Sequence, residues 1–401
     1  MIRDDARLSE IQRKLDDRTP LSFDDGVWLY RVPDLCTLGA LANGVRERLH
    51  GDRTYFNINF HINATNVCHS DCKFCSFARL EPDMPQAYTM SLEQVRGKLV
   101  ERRGQHVTEI HIVNGLHPAL PWSYFNDTLR VLKEERPEIH LKAYTAVEIH
   151  DFAERYQMGY EQVLRELIDA GLGSLPGGGA EIFAERVRRK ICREKATGDQ
   201  WLDVHRTAHR LGLRSNCTML YGTVETLEER IDHMLQLRAL QDETGGFQTF
   251  IPLSYHPEGN DLGKLPGPTG MDDLRTYAVA RLMLHNIEHI KAYWIMLGIK
   301  TAQIAQSFGA DDLDGTVQEE KIYHMAGADT PQALTRHDLV RLVREAGRRA
   351  VERDTLYHVL WEDDGAPLPE IRIDASVPYS GLEPRKRLPL ASDGGTTEVR
   401  P

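Results

Sequence analysis

Cys68, Cys72 and Cys75 fall in one short segment, Asn66-Val67-Cys68-His69-Ser70-Asp71-Cys72-Lys73-Phe74-Cys75-Ser76-Phe77, and this C-x3-C-x2-C spacing constrains the chain more than any other feature. Three thiolates on one loop can hold three irons of a cubane iron-sulfur cluster, whereas the usual redox cluster takes four cysteines. The fourth iron is then left open. With only six cysteines in 401 residues, such a triple arises by chance roughly once in a thousand sequences of this composition. A structural zinc site remains an alternative, but it needs a fourth ligand. Only His69 is close in sequence, and zinc loops usually come as two separated ligand pairs. A disulfide framework does not fit, because no signal peptide is expected ahead of the segment and Cys36, Cys192 and Cys217 are scattered. Those three read as small hydrophobes.

The chain divides by pattern into a helical cap over residues 1–53, a barrel with a closing helix over 54–375, and a tail over 376–401. In the cap, Leu8, Ile11 and Leu15 share one helix face, and Leu38, Leu41 and Val45 share another. From Tyr55 to Asn63 the residues alternate strictly. Phe56, Ile58, Phe60 and Ile62 point one way, and Asn57, Asn59, His61 and Asn63 the other. Such a strand suits a barrel whose outside packs on helices and whose inside holds a polar ligand. Strands then alternate with helices: Val107–Val113, Ile139–Val147, Leu172–Leu175, Arg214–Leu220, Phe247–Ser254 and Ile290–Trp294. Several of the intervening helices open with capping boxes such as Ser91-x-x-Gln94 and Thr226-x-x-Glu229. At least seven strands alternating with helices predict an α/β fold, a parallel (β/α) TIM-type barrel. A late helix from Thr335 to about Arg353 is expected to close it. The Pro, Gly, Ser and charged residues beyond Ser376 predict a flexible tail.

The 41% hydrophobic content is that of a chain with a sizeable core, and no apolar run approaches a membrane span. Acidic residues outnumber basic ones by 60 to 49, and the basic triplet Arg385-Lys386-Arg387 stands alone. Nucleic-acid binding therefore has no electrostatic support. A three-cysteine cluster requires a reducing compartment, so the expected location is the cytoplasm.

In a parallel barrel the active site forms on the loops after the strands. The first such loop carries the cysteines. The second, Val113-Asn114-Gly115-Leu116-His117-Pro118, places a glycine where backbone can approach a ligand, or where a turn needs a positive φ. The third strand leads into Glu148. The fourth gives Ser174-Leu175-Pro176-Gly177-Gly178-Gly179-Ala180-Glu181, in which Glu181 can accept from a ribose hydroxyl or an amino group. The fifth ends Leu220-Tyr221-Gly222, the sixth delivers His256, and the acidic stretch Gly309-Ala310-Asp311-Asp312-Leu313-Asp314-Gly315-Thr316 follows the seventh. His256 reads either as a satisfied core histidine or as a ligand or proton-transfer group.

With an aromatic residue, Phe74, just before the third cysteine, the loop resembles the signature of the radical S-adenosylmethionine superfamily. The resemblance narrows further. His61-Ile62-Asn63-Ala64-Thr65-Asn66-Val67-Cys68, Leu141-Lys142-Ala143-Tyr144-Thr145-Ala146-Val147-Glu148, Trp201-Leu202-Asp203-Val204-His205 and Ile290-Lys291-Ala292-Tyr293-Trp294 are similar to the aminofutalosine synthase family of menaquinone biosynthesis, over roughly residues 55–330. The resemblance implies a 4Fe-4S cluster on the three cysteines, with S-adenosylmethionine chelated at the open iron and cleaved to a 5′-deoxyadenosyl radical. It implies cofactor binding by Phe74, Asn114, Gly115, Glu148, Ser174, Gly178, Glu181, Tyr221 and Gly222, and catalytic roles for His256 and Asp314. It also implies that the radical adds to 3-[(1-carboxyvinyl)oxy]benzoate, with loss of the carboxyl carbon, and that flavodoxin or ferredoxin supplies the electron. Asn59, His61, Asn63, Arg281 and Lys291 are the candidates for the two substrate carboxylates. A futalosine cyclase, a deazaflavin-forming radical enzyme and, at a distance, a zinc-stabilised binding protein are the alternatives.

Overall fold

The structure, a computed structural model, describes residues 5–368, so the tail expected over 376–401 lies outside the described residues. Its strands are β1 (Arg53–Asn57), β2 (Asn59–Ile62), β3 (Glu109–Ile112), β4 (His140–Ala143), β5 (Ser174–Leu175), β6 (Arg214–Tyr221), β7 (Phe247–Ser254), β8 (His289–Ile290), β9 (Asp312–Gly315), β10 (Arg349–Arg353) and β11 (Val359–Glu362). Strands β2 to β8 form a seven-stranded sheet in chain order, and every pairing in it is parallel. Helices make each crossover, as parallel pairing requires.

The alternating segment after Tyr55 is not one strand. It breaks at Ile58, whose carbonyl accepts from the backbone and hydroxyl of Thr108. The two halves enter different sheets, β2 the seven-stranded one and β1 a second sheet ordered β11-β10-β1-β9. This break closes the cylinder. Lys291, just past β8, bridges Asp312 of β9, β9 runs parallel to β1, and Gln318 beyond it bridges Phe60 of β2. Thr316 fastens the seam, its hydroxyl donating to the Asn59 carbonyl at 2.7 Å. The alternation itself holds. Phe60 packs outward beneath the Arg102 guanidinium at 4.7 Å, whereas Asn59 and His61 turn toward the interior beside Asp314 and His111.

Three further expectations are corrected. The strand ending at Val147 stops at Ala143, because Thr145 caps a helix over Ala146–Tyr156. The acidic stretch is not a loop but strand β9, and all four of its residues are buried. The late helix ends at Glu345, and Arg349–Arg353 turn back as β10 to pair with β1. The N-terminal helix Leu35–His50 packs on helix Gly270–Met283. Its buried Arg46 donates to the carbonyl of Gly51 and the hydroxyl of Thr54, which ties the cap to the start of β1.

Arg353 of β10 is buried, donates from Nε to Asp312 at 2.7 Å and stacks its guanidinium over Tyr357. Removing one partner of a buried ion pair leaves an uncompensated charge. Arg353→Met should therefore cost about 3 kcal/mol or more, read in anaerobic calorimetry as a fall of roughly 4 °C or more in the thermal midpoint; an unchanged midpoint would remove Arg353 from the closure of the barrel.

Candidate active site

The cysteine loop is pinned on every side. Cys68 N–H donates to the Arg79 carbonyl, His69 N–H to Leu116, and Lys73 N–H to Ile191 at the end of helix Glu185–Ile191. Ser76 donates its hydroxyl to the Glu258 carbonyl. Inside the loop the buried Arg79 guanidinium gathers the carbonyls of Ser76, Phe77, Ala78 and Pro85. Cys68, Cys72 and Cys75 all line one cavity at the C-terminal mouth of the barrel. Among the described residues, the one group of three or more His, Cys, Asp or Glu whose ligand atoms all lie within 4.8 Å is His50, His289 and Asp311; the cysteines form no such group. Burial pushes the Cys68 thiol up to about 11 and that of Cys72 well above the ordinary thiol range, so a metal must displace protons to bind.

Asn114 and Gly115 reach the same cavity. Gly115 does not have the positive φ that a tight turn would require. It is glycine because a Cβ there would overlap the backbone of Val67, inside the cysteine loop. Its N–H donates to the Thr65 carbonyl at 2.9 Å, and the Asn114 side chain accepts from Ala64 N–H at 2.7 Å. Glu148 is the buried support. One carboxylate oxygen accepts from Asn114 N–H, and the other from the N–H and hydroxyl of Thr145. Burial pushes its carboxyl up to about 7 against the lowering effect of those bonds.

After β5, Gly178, Gly179 and Glu181 line the cavity. Glu181 holds a left-handed backbone, φ 47°, as do Tyr144 and Asp314 at other strand ends. Strain of this kind persists where surrounding structure enforces it. The Glu181 carboxylate accepts from Lys195 Nζ at 2.7 Å, and Lys195 stands 5.0 Å over the Phe74 ring. Burial alone would lower the pKa of Lys195, but Cys72 and Glu181 outweigh it and hold the ammonium charged. Leu220, Leu253 and Tyr323 supply apolar wall, and His256 lines the same space with Nε2 against the Met296 carbonyl at 2.7 Å.

A second chamber lies deeper in the barrel and shares Val113, Thr145, Gly178, Leu253, Ile322 and Tyr323 with the first. Its walls include His61, His111, Tyr293, Asp314 and Glu320. Asp314 Oδ1 accepts from Lys291 and from Asn59, each at 3.2 Å, so Lys291 and Asn59 meet this chamber through Asp314.

Several expected site residues lie elsewhere. Asn63 donates to the Val113 carbonyl, and Ser174 pairs with His140. Tyr221 donates its hydroxyl to Asp273, and Gly222 abuts Pro268. None of these lines either chamber; Leu220 does so in place of Tyr221. Arg281 is neither at the mouth nor on the surface. It is buried beside β8, bonded to Asp311 and to the carbonyls of Gly309 and Glu288. Conversely, Lys195, His111 and Tyr293 were not anticipated. His111 had a usable signal, since it alternates with Ile110 and Ile112 as His61 does with Phe60 and Ile62.

A three-cysteine loop at the mouth of a parallel barrel, above a partly closed interior, defines a radical S-adenosylmethionine enzyme. Residues 62–237 match the family described as "Radical SAM superfamily", and residues 244–364 match "CofH/MqnC C-terminal region". The chain is 51% identical over 357 residues to the aminodeoxyfutalosine synthase of Thermus thermophilus, covering 88% of this chain and 96% of that one. It is 41% identical over 321 residues to the 5-amino-6-(D-ribitylamino)uracil–L-tyrosine 4-hydroxyphenyl transferase of Methanopyrus kandleri, covering 79% and 87%. A solved methylornithine synthase shares the fold, with TM-score 0.67 at 18% identity over 84% of this chain and 96% of that one. This chain belongs to the aminodeoxyfutalosine synthase family, and it uses a 4Fe-4S cluster and S-adenosylmethionine.

Gly115→Ala should push the second loop off Val67 and empty most of the cluster site while the barrel still folds. Iron and sulfide content after anaerobic reconstitution, beside the circular dichroism of the same sample, checks this; full cluster loading would show that the backbone contact is dispensable.

Proposed function

We propose that this chain joins C5′ of S-adenosylmethionine to the vinyl carbon of 3-[(1-carboxyvinyl)oxy]benzoate, moves the aryl group from oxygen to carbon and expels the carboxyl carbon. The product is aminofutalosine, a menaquinone precursor. The observation that carries this reading is the pair of adjoining chambers: one holds the three thiols, and the deeper one offers polar groups to a second molecule. Bound cluster and S-adenosylmethionine supply the reaction's 5′-deoxyadenosyl radical through one-electron cleavage of the C5′–S bond.

The protein's own residues bind, orient and exclude water. Cys68, Cys72 and Cys75 hold the cluster. Glu181 and Lys195 place opposite charges 2.7 Å apart at its edge, a match for the ammonium and carboxylate of a methionine end. The Asn114–Gly115 backbone, steadied by Glu148, and Gly178 take polar contacts beside them. Phe74 packs against Lys195. Leu220 and Leu253 give the adenosine an apolar wall. His256, held by the Met296 carbonyl, orients groups in the outer, cysteine-lined chamber. Asp314 positions Lys291 and Asn59 around the inner chamber. An oxygen-sensitive cluster favours the cytoplasm and a small one-electron donor, flavodoxin or ferredoxin, as the reductant.

The enol ether, reductant and S-adenosylmethionine labelled with ¹³C at C5′ should together yield a product that contains both the label and the benzoate ring, with methionine and carbon dioxide or bicarbonate. Mass spectrometry reads this directly. Label recovered only as free 5′-deoxyadenosine, with the enol ether untouched, would move the chain to a cyclase or deazaflavin-type reaction. In Glu181→Gln the shape stays and the charge goes; S-adenosylmethionine should bind about tenfold more weakly with the cluster absorbance unchanged, and equal affinity would remove Glu181 from the site.

A further inference from the structure

His61 of β2 and His111 of β3 are direct register partners, with ring centroids 4.5 Å apart. Both line the inner chamber. Neither ring makes a hydrogen bond to any described residue, and the Nε2 of each is buried without a partner. The Tyr293 hydroxyl, in the same wall, is likewise unpartnered. Every neutral imidazole carries one N–H donor and a phenol carries another, and a buried donor left unmade costs free energy.

The neighbouring carboxylates are partly engaged: Glu109 Oε2 accepts from Lys142 at 2.7 Å, Asp314 Oδ1 accepts from both Lys291 and Asn59, and Glu320 accepts from the amides of Ile322 and Tyr323 and lies against His324. No carboxylate oxygen lies within hydrogen-bond distance of either imidazole Nε2 or of the Tyr293 hydroxyl. Three donors without acceptors, in a chamber that shares part of its wall with the cluster cavity, fit one carboxylate. We propose that His61 and His111, with Tyr293, form the subsite for the ring carboxylate of the aryl substrate, and that the imidazole pair takes up one proton when that carboxylate binds. The proposal rests on the enol-ether reading above and extends it. The ring carboxylate sits on the floor, so that the vinyl carbon at the other end of the molecule reaches the adenosyl carbon.

The electrostatics agree in sign. Burial lowers both imidazoles. For His111 the neighbouring His61, Lys142 and Lys291 lower it further against Glu109, while for His61 the carboxylates of Glu320, Asp314 and Glu109 oppose burial. In the empty chamber the pair is therefore neutral at pH 7. An entering carboxylate stabilises the imidazolium and raises the pKa. Between the free and bound values, binding carries a proton in, and Kd rises up to tenfold for each pH unit.

The test is calorimetric titration of anaerobic holoenzyme loaded with S-adenosylmethionine, its cluster kept oxidised to prevent turnover, with 3-[(1-carboxyvinyl)oxy]benzoate at pH 7.5 in phosphate and in Tris. Uptake approaching one proton per ligand is expected. His61→Gln and His111→Gln should abolish the uptake and weaken binding at least tenfold, with cluster absorbance and S-adenosylmethionine affinity unchanged. The analogue 2-phenoxyacrylate, which lacks the ring carboxylate, should bind without uptake and be indifferent to both substitutions. Binding of the enol ether without uptake, or equal uptake with the analogue, overturns the proposal, and this wild-type comparison decides even if a variant fails to load its cluster. Wild-type enzyme that binds no enol ether and makes no labelled product overturns the enol-ether reading, and the subsite with it. Labelled product without proton uptake overturns the subsite alone.

Discussion

The site depends on a backbone contact that only glycine permits: Gly115, after β3, lies against Val67 in the cysteine loop after β2. Two loops from neighbouring strands are thereby packed against each other through backbone alone. The coupling continues sideways through buried hydrogen bonds. Glu148, in the first turn of the helix after β4, holds Asn114, and Asn114 holds Ala64 just ahead of the cysteines. Three consecutive strand ends are joined by one carboxylate and one amide. Bonds of this kind, shielded from water, are costly to break because no solvent replaces them.

The second constraint is the break in the first strand. By leaving one sheet for another at Ile58, the chain lets β9 enter beside β1 and complete the cylinder. The interior is then lined by polar side chains in matched pairs, Glu109 with Lys142 and Asp314 with Lys291. Buried ion pairs of this kind contribute little net stability, and breaking one is expensive. Their effect here is geometric. They fill the lower barrel, set the depth of the inner chamber and leave His61, His111 and Tyr293 as the donors without partners in its wall.

Much of the architecture was legible because its causes are local. Period-two alternation and capping boxes such as Ser91–Gln94 and Thr226–Glu229 fix strands and helices without long-range help, and both boxes form. The cysteine spacing marked the mouth for the same reason. What escaped the sequence depends on contacts between distant segments. Asp312 and Asp314 read as a polar loop, yet they form a buried strand because Arg353 and Lys291 reach them from 41 and 23 residues away. Arg281 read as a substrate-carboxylate arginine, and its true partner, Asp311, is 30 residues on. Tyr221 and Leu220 are adjacent on one strand, so pleating alone decides which faces the cavity. Lys195 sits in a run of charges with no periodic signal at all.

The three-cysteine cluster is expected to keep one iron open toward the cavity bordered by Glu181, Lys195 and Asn114. Electron–nuclear double resonance on the reduced holoenzyme, with S-adenosylmethionine carrying ¹⁵N in its amino group and ¹⁷O in its carboxylate, tests this most directly. Strong hyperfine couplings from both labels are predicted. A cluster signal that S-adenosylmethionine leaves unaltered, with neither label coupled, would contradict it.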